Sequence, residues 1–400
     1  MLQILLGSIF GLLSLCVTDE PPEKQVAPTP TDKLPEPGPE LLKLTPEQIE
    51  AAYAGKKMPE AVEMYLVIAR GGQLDGDGGW FHPASNRFSW ERLVTKVGGD
   101  PEQPLTREKF AGKERIFEQL DRDHDGMLTG FDLDWTDSNP WVRQSYMINR
   151  IFRRIDPNGD GLLTPEEWEA YYGRLSKEGQ PIRFEQLRDA LVPPGSGFAS
   201  GDAPSKEMLI KGFLEGELGS LKEGPALDEP APDFTVKSLS GTETVKLSDK
   251  LGKRPVVLVF GNFTCGPFRS MYPTVEAVWN RQKDHADFLF VYVREAHPTD
   301  GWVMKSNEKV GVVVAQPKTF EERQKVASQC AAMLKPNIPL HVDDVTDTVG
   351  NAYSAMPARL YVIDSAGKVA YKSGRGPFGF KPEEMEQALL MLQLEEGAAQ

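Results

Sequence analysis

Two twelve-residue segments, 121–132 and 156–167, set oxygen-bearing groups at the offsets of a loop wrapped around a hard divalent cation. In the first, Asp121, Asp123 and Asp125 stand at positions 1, 3 and 5, and Gly126 takes the sharp turn at 6. The Met127 carbonyl follows at 7, and Asp132 closes the loop at 12. In the second, the same roles fall to Asp156, Asn158, Asp160, Gly161, Leu162 and Glu167, and a threonine (Thr129, Thr164) holds position 9 of each loop. The spacing is dictated by chemistry, since Ca2+ takes six to eight oxygens at about 2.3–2.6 Å and a carboxylate at the last position completes the shell.

Helical periodicity frames the second loop. Ile148, Ile151, Phe152 and Ile155 lead into it, and Trp168, Tyr171, Tyr172 and Leu175 leave it with the same offsets, an apolar stripe on each side. Residues 133–155 suffice for an exiting helix, a turn and an entering helix. The region reads as an α-helical EF-hand pair with Ca2+ as its cofactor. Asp132 is one methylene shorter than the usual Glu, which predicts weaker or more magnesium-tolerant binding at the first loop and makes the second the better site. Asp75 and Asp77 imitate the opening of a third loop, but Trp80 stands where the turn glycine belongs.

The chain has 400 residues, with 45 Lys plus Arg against 59 Asp plus Glu, for a net charge of −14. That balance argues against nucleic acid or an anionic membrane as a partner, because both reward basic patches. Three cysteines, Cys16, Cys265 and Cys330, exclude a disulfide-dense scaffold. Residues 1–17 read as a signal peptide, or alternatively as a lipoprotein signal with Cys16 as the lipid anchor, so an exported protein is expected. Residues 18–43 form a Pro/Glu-rich tract with too little apolar surface to fold, a disordered linker. Order is expected from the capping box Thr45-Pro46-Glu47-Gln48, which opens a helical region over 44–104. The EF-hand pair then occupies 105–191, and a Gly/Pro-rich linker 192–225.

From 226 to 396 the pattern changes to β-branched runs alternating with helices, the signature of an α/β domain. The runs are Val256–Phe260, Phe288–Val293, Leu360–Ile363 and Val369–Tyr371. The first runs into Thr264-Cys265-Gly266-Pro267-Phe268, where a cysteine opens a helix and the dipole and free N–H groups favour its thiolate. This resembles thioredoxin's Cys-Gly-Pro-Cys with Phe268 in place of the second cysteine, which excludes an ordinary two-cysteine shuttle in that motif. The resemblance implies a cis Met356–Pro357 peptide facing Cys265. The expected architecture is therefore multidomain: the EF-hand pair plus an α/β thioredoxin-like fold.

A longer set of motifs makes the resemblance specific. Gly261-Asn262-Phe263-Thr264-Cys265-Gly266-Pro267-Phe268 is followed by Glu295-Ala296-His297-Pro298 and Asp300-Gly301-Trp302, then by Pro357-Ala358-Arg359-Leu360-Tyr361 and Gly376-Pro377-Phe378. In this order they resemble the iodothyronine deiodinases over residues 226–395, with cysteine where that family usually has selenocysteine. The resemblance implies Cys265 as nucleophile, His297 and Glu295 as a proton relay, Tyr292 as the residue orienting that relay, and Arg359 as the contact to an anionic part of the substrate. Pro317 stands where the family's second, substrate-contacting histidine would align. Cys330, on the expected helix Phe320–Leu334, reads either as a helix residue or as a resolving thiol.

These features point to single-thiol reductive chemistry of dehalogenase type, with a small-molecule electrophile and an external thiol reductant as partners. Two other readings stay open on the sequence. One is a peroxidatic or disulfide-reducing thiol enzyme, although Thr264 adjoins Cys265 directly instead of preceding it by three. The other is a non-catalytic, calcium-dependent scaffold.

Overall fold

The computed structural model describes residues 34–71, 84–110, 112, 114–136, 138–176, 179–191, 204–377 and 379–397. The expected signal peptide, Cys16, most of the 18–43 tract, the Asp75–Trp80 segment and Phe378 lie outside the described residues.

The Thr45 capping box forms as read. Thr45 Oγ1 accepts the Gln48 amide at 3.3 Å, the Gln48 side chain accepts the Thr45 amide at 2.8 Å, and helix α1 (Pro46–Ala52) follows. Folded structure starts earlier than expected, however. A 3-10 turn over Pro39–Lys43 buries Leu41, and the Tyr53 hydroxyl donates to the Pro35 carbonyl. One fully buried leucine and this tie are what the Pro/Glu-rich composition concealed. Helix α2 (Glu60–Ala69), strand β1 (Ser85–Asn86) and helix α3 (Trp90–Val97) complete the N-terminal part.

The region expected to hold the EF-hand pair contains β2 (Leu105–Thr106), α4 (Glu114–Leu120), β3 (Met127–Leu128), α5 (Gly130–Leu133), α6 (Pro140–Ile155), α7 (Pro165–Leu175) and α8 (Phe184–Leu191). Strand β3, inside the first loop, pairs antiparallel with β2, Leu105 facing Leu128. The ribbon partner of the first loop thus comes from upstream. Of the apolar stripes around the second loop, Ile155 and Tyr171 are buried while Ile148 and Trp168 are exposed.

After α9 (Lys206–Leu214) come β4 (Thr235–Ser238), β5 (Thr244–Lys246), β6 (Val256–Gly261), α10 (Gly266–Gln282), β7 (Asp287–Tyr292), α11 (Lys305–Lys309), α12 (Phe320–Leu334), β8 (Leu340–Val342), α13 (Thr348–Ala352), β9 (Arg359–Ile363), β10 (Val369–Lys372) and α14 (Pro382–Gly397). The sheet order is β1-β10-β9-β6-β7-β8-β4-β5. Strand β6 lies parallel to β7 and antiparallel to β9, and β10 folds back on β9. A β6–α10–β7 crossover followed by a β9–β10 hairpin and a closing helix is the thioredoxin-like arrangement.

Every residue of β6 is buried, which explains why Val256–Phe260 reads as a continuous apolar run rather than an alternating one. Val257 and Val259 face a core built with α10, α12 and α14. Val256, Leu258 and Phe260 face a second core with Val349 and Tyr353. The first core also takes in Phe88, Leu93, Leu105, Phe110, Ile116, Phe117, Leu120 and Leu128. The N-terminal part and the 121–132 loop are therefore built onto the face of the sheet that carries α10, and from Pro35 onward the chain packs as one compact unit.

Candidate active site and calcium loops

Strand β6 ends at Gly261, where an added Cβ would lie 2.3 Å from the Phe268 ring, so only glycine lets the chain pass under that ring. Four residues later Cys265 caps helix α10, with Gly266 and Pro267 as its first helical residues. Asn262 organises the turn: its Oδ1 accepts the amides of Cys265 (3.0 Å) and Ala296 (3.3 Å), and its Nδ2 donates to the Pro357 carbonyl at 2.8 Å. The Met356–Pro357 peptide is cis, as expected. One asparagine thereby ties together the Cys265 turn, the Glu295–His297 segment and the cis-proline loop.

Glu295 is buried and accepts hydrogen bonds from the Thr264 amide (2.9 Å), the Thr264 hydroxyl (2.8 Å) and the Tyr292 hydroxyl. The Tyr292 oxygen in turn accepts the Phe263 amide at 3.0 Å. Burial raises the pKa of Glu295, opposed by the bonds from Tyr292 and Thr264. The His297 amide donates to Thr264 Oγ1 at 2.9 Å, and its Nδ1 lies 3.1 Å from the Trp302 carbonyl, with the two rings edge to face. A carbonyl only accepts, so Nδ1 carries a proton there. Cys265, Glu295, Tyr292 and His297 are thus brought together: Glu295 and His297 bond to Thr264, and Tyr292 to Phe263, on the turn that carries Cys265.

Two expectations are corrected. The thiolate was expected to be favoured by the helix terminus, but Cys265 is only 2% exposed. Burial pushes its thiol up to about 11, outweighing the Phe268 amide and the positive charges of Arg269 and Arg153. Arg359 was expected to meet an anionic part of the substrate. It alternates on β9 with Leu360, which belongs to the Cys265 core, so it points to the opposite face of the sheet. There it donates to the Ser373 carbonyl (3.0 Å), the Ser354 carbonyl (3.1 Å) and the Glu60 carboxylate (3.3 Å). Arg375 meets the same carboxylate at 3.1 Å.

Sequence reasoning missed the polar shell around the thiol. Arg269 is a buried cation whose Nη2 donates to Asn307 Oδ1 at 2.9 Å, and the Asn307 amide donates to the Thr264 carbonyl at 2.7 Å. Gln316 exchanges hydrogen bonds with the Glu295 backbone at 3.0 and 3.1 Å. Cys330 is fully buried on α12, and burial raises its pKa well above the ordinary thiol value.

In the 121–132 loop, carboxylate oxygens of Asp121, Asp123 and Asp132 lie within 4.8 Å of one another. Asp132 is buried, and its two oxygens accept the Arg122 amide (2.9 Å) and the Thr129 amide (2.8 Å). Burial raises its pKa, a cost that a bound cation would offset, so this donor set fits Ca2+. Asp125 bonds instead to the Met127 amide at 2.8 Å. In the second loop Asp156 accepts the amides of Gly159 (2.8 Å) and Gly161 (2.9 Å), Asn158 that of Asp160, and Asp160 that of Leu162. Glu167 caps Thr164 at 3.0 Å. The oxygen donors are the right kind at the right positions, but among the described residues three carboxylates converge at the first loop.

A thioredoxin-like sheet with a lone cysteine at the start of α10 and a cis-proline tied to its turn defines a thiol-dependent oxidoreductase class. The iodothyronine deiodinase family model matches residues 207–393, and an EF hand model matches 148–170. Thyroxine 5-deiodinase of Gallus gallus is 34% identical over 177 residues, 44% of this chain and 67% of that enzyme. Type I iodothyronine deiodinase of Xenopus laevis is 33% identical over 178 residues, 44% of this chain and 68% of that enzyme. The alignment with thyroxine 5-deiodinase of Homo sapiens is 33% identical and spans 39% of this chain and half of that enzyme. The chain belongs to the iodothyronine deiodinase family. Among solved structures it is similar to the exposed lipoprotein thioredoxin of Streptococcus pneumoniae (18% identity, 40% of this chain and 100% of that one, TM-score 0.28). Among the described residues no helix is long and apolar enough to cross a membrane.

Proposed function

We propose that this protein is an exported, calcium-binding reductive dehalogenase in which Cys265 is the nucleophile, with iodinated aromatic compounds as the substrate class. The observation that carries the reading is the position of Cys265 at the cap of α10, on a turn fastened by Asn262 to the Pro357 carbonyl and by Thr264 to Glu295. The thiolate attacks the iodine of the substrate. An S–I bond forms as the C–I bond breaks, and the carbon takes a proton. With Nδ1–H of His297 donating to the Trp302 carbonyl, Nε2 is the nitrogen that takes up and passes on a proton. An external thiol then attacks sulfur, releasing iodide and leaving a mixed disulfide, which a second thiol reduces back to the Cys265 thiol.

Because burial holds Cys265 as the thiol, the site must open or admit a base before this step. Bound calcium supplies positive charge and rigidity to the loops. Asp121, Asp123 and Asp132 would hold it in the first, and Asp156, Asn158, Asp160, the Leu162 carbonyl and Glu167 in the second.

Iodide release from iodotyrosine-like compounds, measured with a dithiol reductant, tests the reading. Wild type should release iodide and Cys265→Ser should not. Equal release by both would sink the assignment of Cys265. Peroxide consumption without iodide release would move the protein to the peroxidatic alternative.

A further inference from the structure

The second calcium loop and the nucleophile are fastened to each other. Gly161, at the loop's sharp turn with φ of 78°, sits so close to α10 that an added Cβ would lie 2.5 Å from the Ser270 carbonyl oxygen and 2.9 Å from the Pro273 ring. Gly159 approaches Val310, where a Cβ would lie 3.6 Å from Cγ1. From the helix leading into the loop, Asn149 Nδ2 contacts Met271 Sδ at 3.1 Å. Arg153 on the same helix adds positive charge at Cys265.

These contacts reach both elements that frame the thiol. Ser270, Met271 and Pro273 belong to α10, whose cap is Cys265. Val310 closes α11, whose Asn307 holds the Thr264 carbonyl and the Arg269 guanidinium. The two touching glycines are held in turn by a single expected ligand, since Asp156 accepts the amides of both Gly159 and Gly161. Whatever moves Asp156 moves the surface pressed on α10 and α11. Without a cation, Asp156, Asp160 and Glu167 repel one another, and calcium removes that repulsion.

We propose that calcium occupancy of residues 156–167 controls access to Cys265: the filled loop clamps α10 and the Asn307 turn, and the emptied loop releases them. The proposal rests on the reading of 156–167 as a calcium loop. It makes the EF-hand segment a gate on the thiol site in addition to a structural support.

The test uses the full chain and two readouts, calcium binding by calorimetry and the rate of iodoacetamide modification of Cys265 followed by peptide mass spectrometry. Calcium should slow modification at least fivefold relative to chelator. Glu167→Gln should abolish the difference together with the heat of the second site, whereas Asp121→Ala should leave the difference in place. Asn149→Ala and Val310→Ala touch no expected ligand, so they should shrink the difference while retaining calcium affinity. Binding at the second loop with equal modification rates overturns the gate alone. An isotherm in which Glu167→Gln changes nothing overturns the gate together with the calcium reading beneath it.

Discussion

Glu295 Oε2 accepts both the amide and the hydroxyl of Thr264, at 2.9 and 2.8 Å, inside a region that solvent does not reach. The carboxylate that the deiodinase motif would assign to proton transfer is also the anchor of the turn presenting Cys265. Glu295→Ala orphans the Thr264 amide and the Tyr292 hydroxyl, and removing one partner of a buried charged network costs about 3 kcal/mol. Glu295→Gln keeps an acceptor and should cost about 1 kcal/mol. Denaturant unfolding checks the order, and equal losses for the two variants would show that the carboxylate anchors nothing.

Burial, not the helix terminus, sets the state of Cys265. With the thiol pushed up to about 11, the rate of Cys265 modification by iodoacetamide should climb through neutral pH and level off only near that value. Arg269 is the stronger of the two positive charges that act on the thiol, so Arg269→Met should move the profile further up. A wild-type profile that levels off near pH 7 would contradict the assignment.

Glu384 on α14 is buried against the Tyr371 hydroxyl, which donates to it at 3.2 Å, and burial raises its pKa to about 7. The folded state therefore holds a proton that the unfolded chain has already lost above about pH 4.5. Fewer protons bound in the unfolded state means that stability falls as pH rises from about 4.5 to about 7, by up to about 3 kcal/mol. Glu384→Gln should flatten that slope and raise Tm at pH 8. An unchanged slope would assign the pH dependence elsewhere.

The 121–132 loop is built into the main core. Leu128 packs there, and Gln387 of α14 donates to the Asp132 carbonyl at 2.7 Å. Calcium at a hundredfold excess over its Kd should add about 2.7 kcal/mol to stability. Thermal melts with calcium and with chelator measure the gain, and Asp132→Ala should lose the share contributed by the first loop while the second loop keeps its own. The same gain in that variant would place the stabilising ion elsewhere.

Much of this was legible because it depends on local pattern. The β6 run, the Thr45 capping box and the ligand spacing of the loops follow from neighbouring residues, and the cis-proline position follows from the resemblance to thioredoxin. The missing parts depend on distant partners. Nothing near Arg359 announces that Glu60, 299 positions away, will take its charge. Leu105 gives no sign that it will face Leu128. Asn262, Asn307 and Gln316 have no periodicity, so their hydrogen bonds show only when the loops meet. The high pKa of Cys265 has the same origin, since burial is decided by the whole set of elements that close over it.

The central claim is that Cys265 itself takes iodine from the substrate. Reduced protein mixed with excess diiodotyrosine and no reductant should release one iodide per chain and stop, because water converts the S–I bond to a sulfenic acid that cannot turn over. Mass spectrometry should place that oxidation on Cys265, and Cys265→Ser should release none. Iodide release that continues without reductant, or that persists in Cys265→Ser, would contradict the account.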